Sequence, residues 1–175
     1  MYEIRIHSRG GQGGVTAARL LADAAFKGGK YAAASPFYGA ERRGAPVVSF
    51  VRINDRPIRI YSQIEHPDLV IVLDPSIMNA VDILQGLKKG GRIVVNNPKP
   101  LEIPRHPVFH VDLTGIAIAQ NLVVAGSPVL NTPLLGALAK MGLVTLDAAL
   151  AAIRDMFSDE RNIKAAEIAF SELIL

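Results

Sequence analysis

Four glycines within five residues, in "RGGQGG" at residues 9–14, constrain this chain more than any other stretch. Glycine loses more backbone freedom on folding than any other residue and packs nothing, so a cluster marks backbone that must come close to something. Before it, residues 2–7 alternate Ile4 and Ile6 with charged residues, the pattern of a strand with one more exposed face. After it, "VTAARLLADAAF" is rich in helix formers, with Leu20, Leu21, Ala24 and Ala25 forming an apolar stripe that Gly28 and Gly29 stop. In such a strand–turn–helix unit the amides at the helix start and the helix dipole favour an anion. Gly10, Gly11, Gly13, Gly14 and Thr16 are the candidate contacts. Gln12 is the only side chain at the tip, an amide suited to bonding a partner or ligand.

Spacing rules out the nucleoside-triphosphate loop and argues against the usual dinucleotide loop, leaving an unusual dinucleotide site open. The nucleoside-triphosphate loop needs a lysine and a hydroxyl residue after its last glycine, and here Val15 and Thr16 follow Gly14. The dinucleotide fingerprint needs a third glycine where Thr16 stands, and an acid closing the second strand, which ends "YAAASP". A second reading stays open, in which the glycines only let the helix pack closely on the sheet or on a neighbouring chain.

The rest of the chain supports an α/β fold: a single domain over residues 1–175, Rossmann-like, with a mixed, largely parallel sheet, helices on its faces and a helical C-terminal part. Residues 31–35 suit a short second strand. "VVSFVRI", "NDRP" and "IRIYSQI" read as a hairpin, and "DLVIVLD", "RIVVNN" and "VFHVDL" as buried strands. "SIMNAVDILQGLKKGG" reads as a helix closed by glycine. Thr132 with Pro133 predicts an N-cap and first helical position for "PLLGALAKMG", and two further helices follow. A net charge of +3, with no run of like charge, gives no support for nucleic-acid or polybasic membrane binding. The apolar runs are too short to span a bilayer and the N-terminus alternates, so a cytoplasmic protein is expected. The chain has no cysteine, which excludes disulfides and cysteine-ligated zinc or iron–sulfur clusters within it, and its four histidines form no spaced metal pair.

A second loop, "SPFYGAERRGAP", sets Phe37, Tyr38, Glu41, Arg42 and Arg43 among small residues. Adjacent arginines suit phosphate or carboxylate, and the aromatics suit an interface; pairing of the arginines with Glu41 or Glu65 is the alternative. Asn131 and Thr132 are a third candidate, explained equally by helix capping. His7 suits a satisfied packing role, and Tyr38 an interface.

These residues carry a resemblance. "RGGQGGVTAARLLADAAFKGGKYA", "SPFYGAERRGAPVVSFVRIND", "IRIYSQIEHPDLVIVLDP" and "VLNTPLLGALAKMG" resemble the gamma subunit of 2-oxoacid:ferredoxin oxidoreductases, of the pyruvate and 2-ketoisovalerate type, over roughly residues 2–170. Ser8 stands where the family has glycine; a small hydroxyl residue able to cap the helix or bond an anion should preserve the loop. The resemblance implies a multi-subunit enzyme with alpha, beta and delta-type subunits that forms acyl-CoA, CO2 and reduced ferredoxin. Thiamine diphosphate with magnesium and the iron–sulfur clusters would belong to other subunits. This chain would be a structural, coenzyme A-side subunit, inert alone and without catalytic residues, with Gly10, Gly11, Gln12, Gly13, Gly14, Thr16, Arg42, Arg43, Asn131 and Thr132 toward the cofactor. Two other readings are a free-standing nucleotide- or coenzyme A-type binding protein and a purely structural adaptor.

Overall fold

A computed structural model describes residues 1–37 and 44–174, and its centre is a six-stranded sheet in the order β2-β3-β1-β4-β5-β6. The strands are β1 (Tyr2–Arg9), β2 (Tyr31–Phe37), β3 (Pro46–Asn54), β4 (Leu69–Val72), β5 (Arg92–Asn96) and β6 (Val108–Val111). β1, β4, β5 and β6 pair in parallel, while β3 runs antiparallel to both β1 and β2. The apolar run of β4 is buried along its whole length, as a strand covered on both faces must be.

Five helices, α1 (Gly14–Lys27), α2 (Leu113–Ala119), α3 (Asn131–Lys140), α4 (Leu146–Met156) and α5 (Arg161–Glu172), share one core with Ile4, Ile6, Val51, Leu69, Ile71 and Val94 of the sheet. The architecture is the α/β class expected. In α1 the stripe read from the sequence is buried, and complete burial of Leu20 and Leu21 contributes roughly 1.5–3 kcal/mol each. Two of these helices have side-chain caps: Asp112 Oδ1 accepts from the Gly115 amide at 2.8 Å, and Thr145 Oγ1 from that of Ala148 at 3.2 Å. α3 begins two residues earlier than the Thr132 cap predicts. Leu130 occupies the cap position because its amide donates to the Gln12 carbonyl at 2.9 Å, and Thr132 lies inside the first turn. A short hairpin, β7 (Val123–Val124) and β8 (Ser127–Pro128), was not foreseen; Ala125 and Gly126 both take positive φ in its turn.

The other face of the sheet departs from the sequence reading. The polar side of β1 is buried there, with Arg5 8% and His7 4% exposed. The expected hairpin does not form: both edges of β3 are already taken, by β1 and β2, so residues 58–64 have no ladder to join. Their carbonyls bond Arg52 instead, Ser62 O at 2.8 Å and Gln63 O at 3.4 Å, while Arg52 Nε donates to Glu3 Oε1 at 2.9 Å. The expected helix after β4 is also absent. A single 3₁₀ turn (Pro75–Asn79), capped by Asp74, gives way to an irregular chain. Asp82 Oδ1 takes the Leu84 amide at 3.0 Å, a local bond that competes with helix. Arg5 donates to Ile83 O at 2.9 Å and Gln85 O at 2.7 Å. Gly86, at φ 72, lies against the Glu65 carbonyl, where a side chain would not fit. Val70, Val72, Ile93 and Val95 form a second, smaller core with Ile77 and Ile83 under this irregular cover.

Two stability predictions follow from these contacts. Gly136 of α3 rides directly on the α5 backbone, and a Cβ there would stand 2.6 Å from Ala166 C. Gly136→Ala should lower unfolding free energy by about 1–3 kcal/mol in a denaturant titration, the range for overpacking. His7 is held neutral: burial, then the neighbouring Arg5, lower its pKa from 6.5 to about 4. The unfolded chain therefore binds the extra proton first. Stability should be full above pH 6.5 and fall as the pH drops toward 4, by about 3 kcal/mol in all. His7→Gln should flatten that part of the stability–pH profile.

Candidate functional site

From β1 the chain passes to α1 on the helical face, and from β4 it passes to the 3₁₀ turn on the other. The connections part at the C-terminal ends of these adjacent parallel strands, which is where open α/β sheets form a crevice. The glycine loop lines it. Gly11 (φ 98) and Gly13 (φ 84) take left-handed backbone, and α1 starts on Gly13 with no side-chain cap and no acid in its first turn. The amides of Gly13, Gly14, Val15 and Thr16 have no partner among the described residues. A cavity of about 210 Å³ lies between this loop, Ser8, Arg9 and Val47. Uncapped amides at the positive end of a helix dipole suit an anion.

Part of the glycine requirement is packing. A Cβ on Gly14 would overlap the Ser8 hydroxyl and sit 2.7 Å from Ser8 Cβ; on Gly13 it would come within 3.2 Å of Asn131 Cβ. Ser8 is buried and its hydroxyl faces the Val47 carbonyl at 3.5 Å, so the loop survives the serine without using it as a helix cap.

Arg9, at the end of β1, was not singled out by sequence and proves central. Its Nε donates to Asp74 Oδ2 at 2.9 Å, and its terminal nitrogens donate to Ser76 Oγ at 2.7 Å and to the Gly44 carbonyl at 3.0 Å. Asp74 Oδ1 accepts from the Ser76 amide at 2.9 Å and hydroxyl at 2.6 Å. Burial pushes the Asp74 pKa up, but the Ser76 hydrogen bonds and Arg9 outweigh it and hold the carboxyl below its usual range. The signal in the sequence was an aspartate closing a buried strand just before proline and serine. Gln12 turns inward: its Oε1 accepts from the Arg9 amide at 2.7 Å and its Nε2 lies 3.5 Å from Asp74.

The structure ties the two loops at their base. Gly10 donates to the Ala45 carbonyl at 2.9 Å and accepts from the Gly44 amide at 3.1 Å. Tyr38, Glu41, Arg42 and Arg43 lie outside the described residues. Of the third candidate pair, Asn131 packs against Gly13 and accepts from the Thr132 amide at 2.8 Å. Thr132 is fully buried with its hydroxyl on Asn162 Oδ1 at 3.2 Å, and Thr16 does not line the cavity. Among the described residues no cluster of three or more His, Cys, Asp or Glu could hold a metal, and no helix is long and apolar enough to cross a membrane.

The pattern of the pyruvate ferredoxin/flavodoxin oxidoreductase family matches residues 3–172. The chain is 52% identical to the pyruvate/ketoisovalerate oxidoreductases common subunit gamma of Thermococcus kodakarensis, covering all of this chain and 98% of that protein. It is 46% identical to the pyruvate synthase subunit PorC of Methanothermobacter marburgensis, over 99% and 98% of the two chains. Among solved structures it matches the pyruvate oxidoreductase subunit PORC of Thermotoga maritima with a TM-score of 0.82 and 35% identity, over 99% and 97%.

The packing share of the glycine loop is separable from its binding share. Gly14→Ala should destabilise the chain by about 1–3 kcal/mol through the clash with Ser8. Ser8→Gly in the same chain should recover most of that loss, as read by thermal or denaturant unfolding in a double-mutant cycle.

Proposed function

This chain belongs to the pyruvate ferredoxin/flavodoxin oxidoreductase family, as a gamma-type subunit of a 2-oxoacid:ferredoxin oxidoreductase, and from that premise we propose that it serves the coenzyme A side of the assembled enzyme. The overall reaction oxidatively decarboxylates a 2-oxoacid, pyruvate or a branched-chain homologue on this reading, to acyl-CoA and CO2. Its two electrons go to ferredoxin. The observation that carries the proposal is the row of amides from Gly13 to Thr16, unpartnered among the described residues, of which Gly13, Gly14 and Val15 line a cavity beside Arg9. Coenzyme A carries a diphosphate and a further phosphate, the anions such a helix start suits. Arg42 and Arg43, just before Gly44, which bonds Gly10 of the glycine loop, supply the matching charge on this reading. This chain's part is to hold and orient the acyl acceptor; it moves no proton in the reaction.

Iron–sulfur clusters do not fit this chain, which has no cysteine to ligate them. We assign them, with thiamine diphosphate and its magnesium, to alpha, beta and delta-type partner subunits, and place the complex in the cytoplasm. Isolated, the chain should be inactive.

Changing Arg42 and Arg43 together to alanine should raise the apparent KM for coenzyme A in the assembled complex by at least about tenfold, since a hydrogen bond to a charged group contributes roughly 1.5–3 kcal/mol. Coenzyme A-independent decarboxylation, followed by CO2 exchange, should be unchanged. Loss of the subunit from the complex on size exclusion would make this loop an interface. An unchanged KM would reject the coenzyme role.

A further inference from the structure

Two arginines are buried on the irregularly covered face of the sheet, and their surroundings differ in one respect. Arg52, 4% exposed at its side chain, has a counter-ion: Glu3 Oε1 lies 2.9 Å from its Nε. Arg5 has none among the described residues. There its guanidinium touches neutral acceptors, namely the carbonyls of Ile83 and Gln85 and the ring of His7, with Nε to His7 Nε2 at 3.1 Å. Asp82 acts on it through space, yet no carboxylate of the described residues forms an ion pair with it. Buried charges are as a rule paired, because taking an ion out of water without a partner is expensive.

The unpaired guanidinium opens on a cavity of about 470 Å³, far larger than a water site requires. Two donors face it. One terminal nitrogen of Arg5 makes no hydrogen bond among the described residues, and it is not among the fully enclosed unpartnered atoms. His7 is neutral and its Nε2 accepts from Arg5, so its proton is on Nδ1, which is likewise without a described partner and not enclosed. Val48, Phe50, Ile64 and Val81 supply apolar wall. Glu65 and Asp82 also line the space, and their charge sets a limit: one negative charge can be matched by Arg5, while a dianion would meet repulsion.

We propose that this cavity binds a single carboxylate on an aliphatic stem, received by Arg5 and by the Nδ1 proton of His7. The site is on the opposite face of the sheet from the glycine loop and does not rest on the coenzyme reading. Two sources share that chemistry: a free aliphatic monocarboxylate, and an aspartate or glutamate side chain from a neighbouring subunit. A buried guanidinium awaiting a partner's carboxylate would leave the lone chain less stable than the assembled one.

The test uses the full-length chain and the assembled complex. The ¹⁵N resonances of the His7 ring are followed while acetate, 3-methylbutanoate and inorganic phosphate are titrated in at pH 7.5. Saturable shifts with 3-methylbutanoate, at least about tenfold tighter than with phosphate and weakened about tenfold or more by Arg5→Met, would establish a free-acid site. Arg5→Lys keeps the charge and should retain part of the affinity, which separates binding from any loss of fold in the methionine variant. Absence of binding to the lone chain, with an aspartate or glutamate of another subunit within hydrogen-bond distance of Arg5 in a structure of the complex, would establish the partner source. Absence of both overturns the proposal.

Discussion

Arg5 and Arg52 reach from the sheet to main-chain carbonyls of residues that lie in neither helix nor strand, and the second face of the molecule depends on those bonds. Buried backbone carbonyls must find donors, and a helix or ladder normally supplies them internally. Residues 58–64 and 80–87 have neither arrangement. Guanidinium groups, with five donors in a fixed fork, take over that role and hold the irregular chain down on Val70, Val72, Ile93 and Val95. The helical face needs no such device, because alanines and glycines let α1, α3 and α5 approach closely and satisfy their own backbones. One sheet thus carries two different solutions to the same burial problem.

This asymmetry also explains what could be read in advance. β4 and β5 were legible as buried apolar runs and α1 as a periodic stripe, since those signals are local; β6, expected to be buried as well, is an edge strand with Val108, Phe109 and His110 only half-buried. The strand expected at 58–64 failed on a non-local fact: β3 had no free edge left for it. The helix expected after β4 failed because Asp74, Asp82 and Gly86 each commit the backbone to a local turn or close approach that its apolar spacing does not reveal. The charged side of β1 was taken for an exposed face. Alternation reports which residues share a side, not whether something covers that side, and Arg5 and His7 turn out to be buried.

At the crevice, the sequence presented the glycines as either packing devices or anion binders. The geometry divides them by atom instead. Missing side chains at Gly13 and Gly14 make room for Asn131 and Ser8, while the amides of the same residues have no partner among the described residues. Gln12, read as an outward-facing amide, serves the loop internally. Its partners Arg9 and Asp74 were visible in the sequence only as neighbours of more conspicuous motifs, because their meaning lies in a contact between residues 65 positions apart.

Arg9 holds the Gly44 carbonyl, the Asp74 carboxylate and the Ser76 hydroxyl with one rigid, planar group. The end of the segment that follows β2 and the start of the turn that follows β4 therefore share a single anchor. A sideways pull on Gly44 is transmitted through the guanidinium to the cap of the 3₁₀ turn, along a path of three hydrogen bonds with no flexible stem between them. Whatever docks against either segment therefore loads the same guanidinium, and through it the other segment.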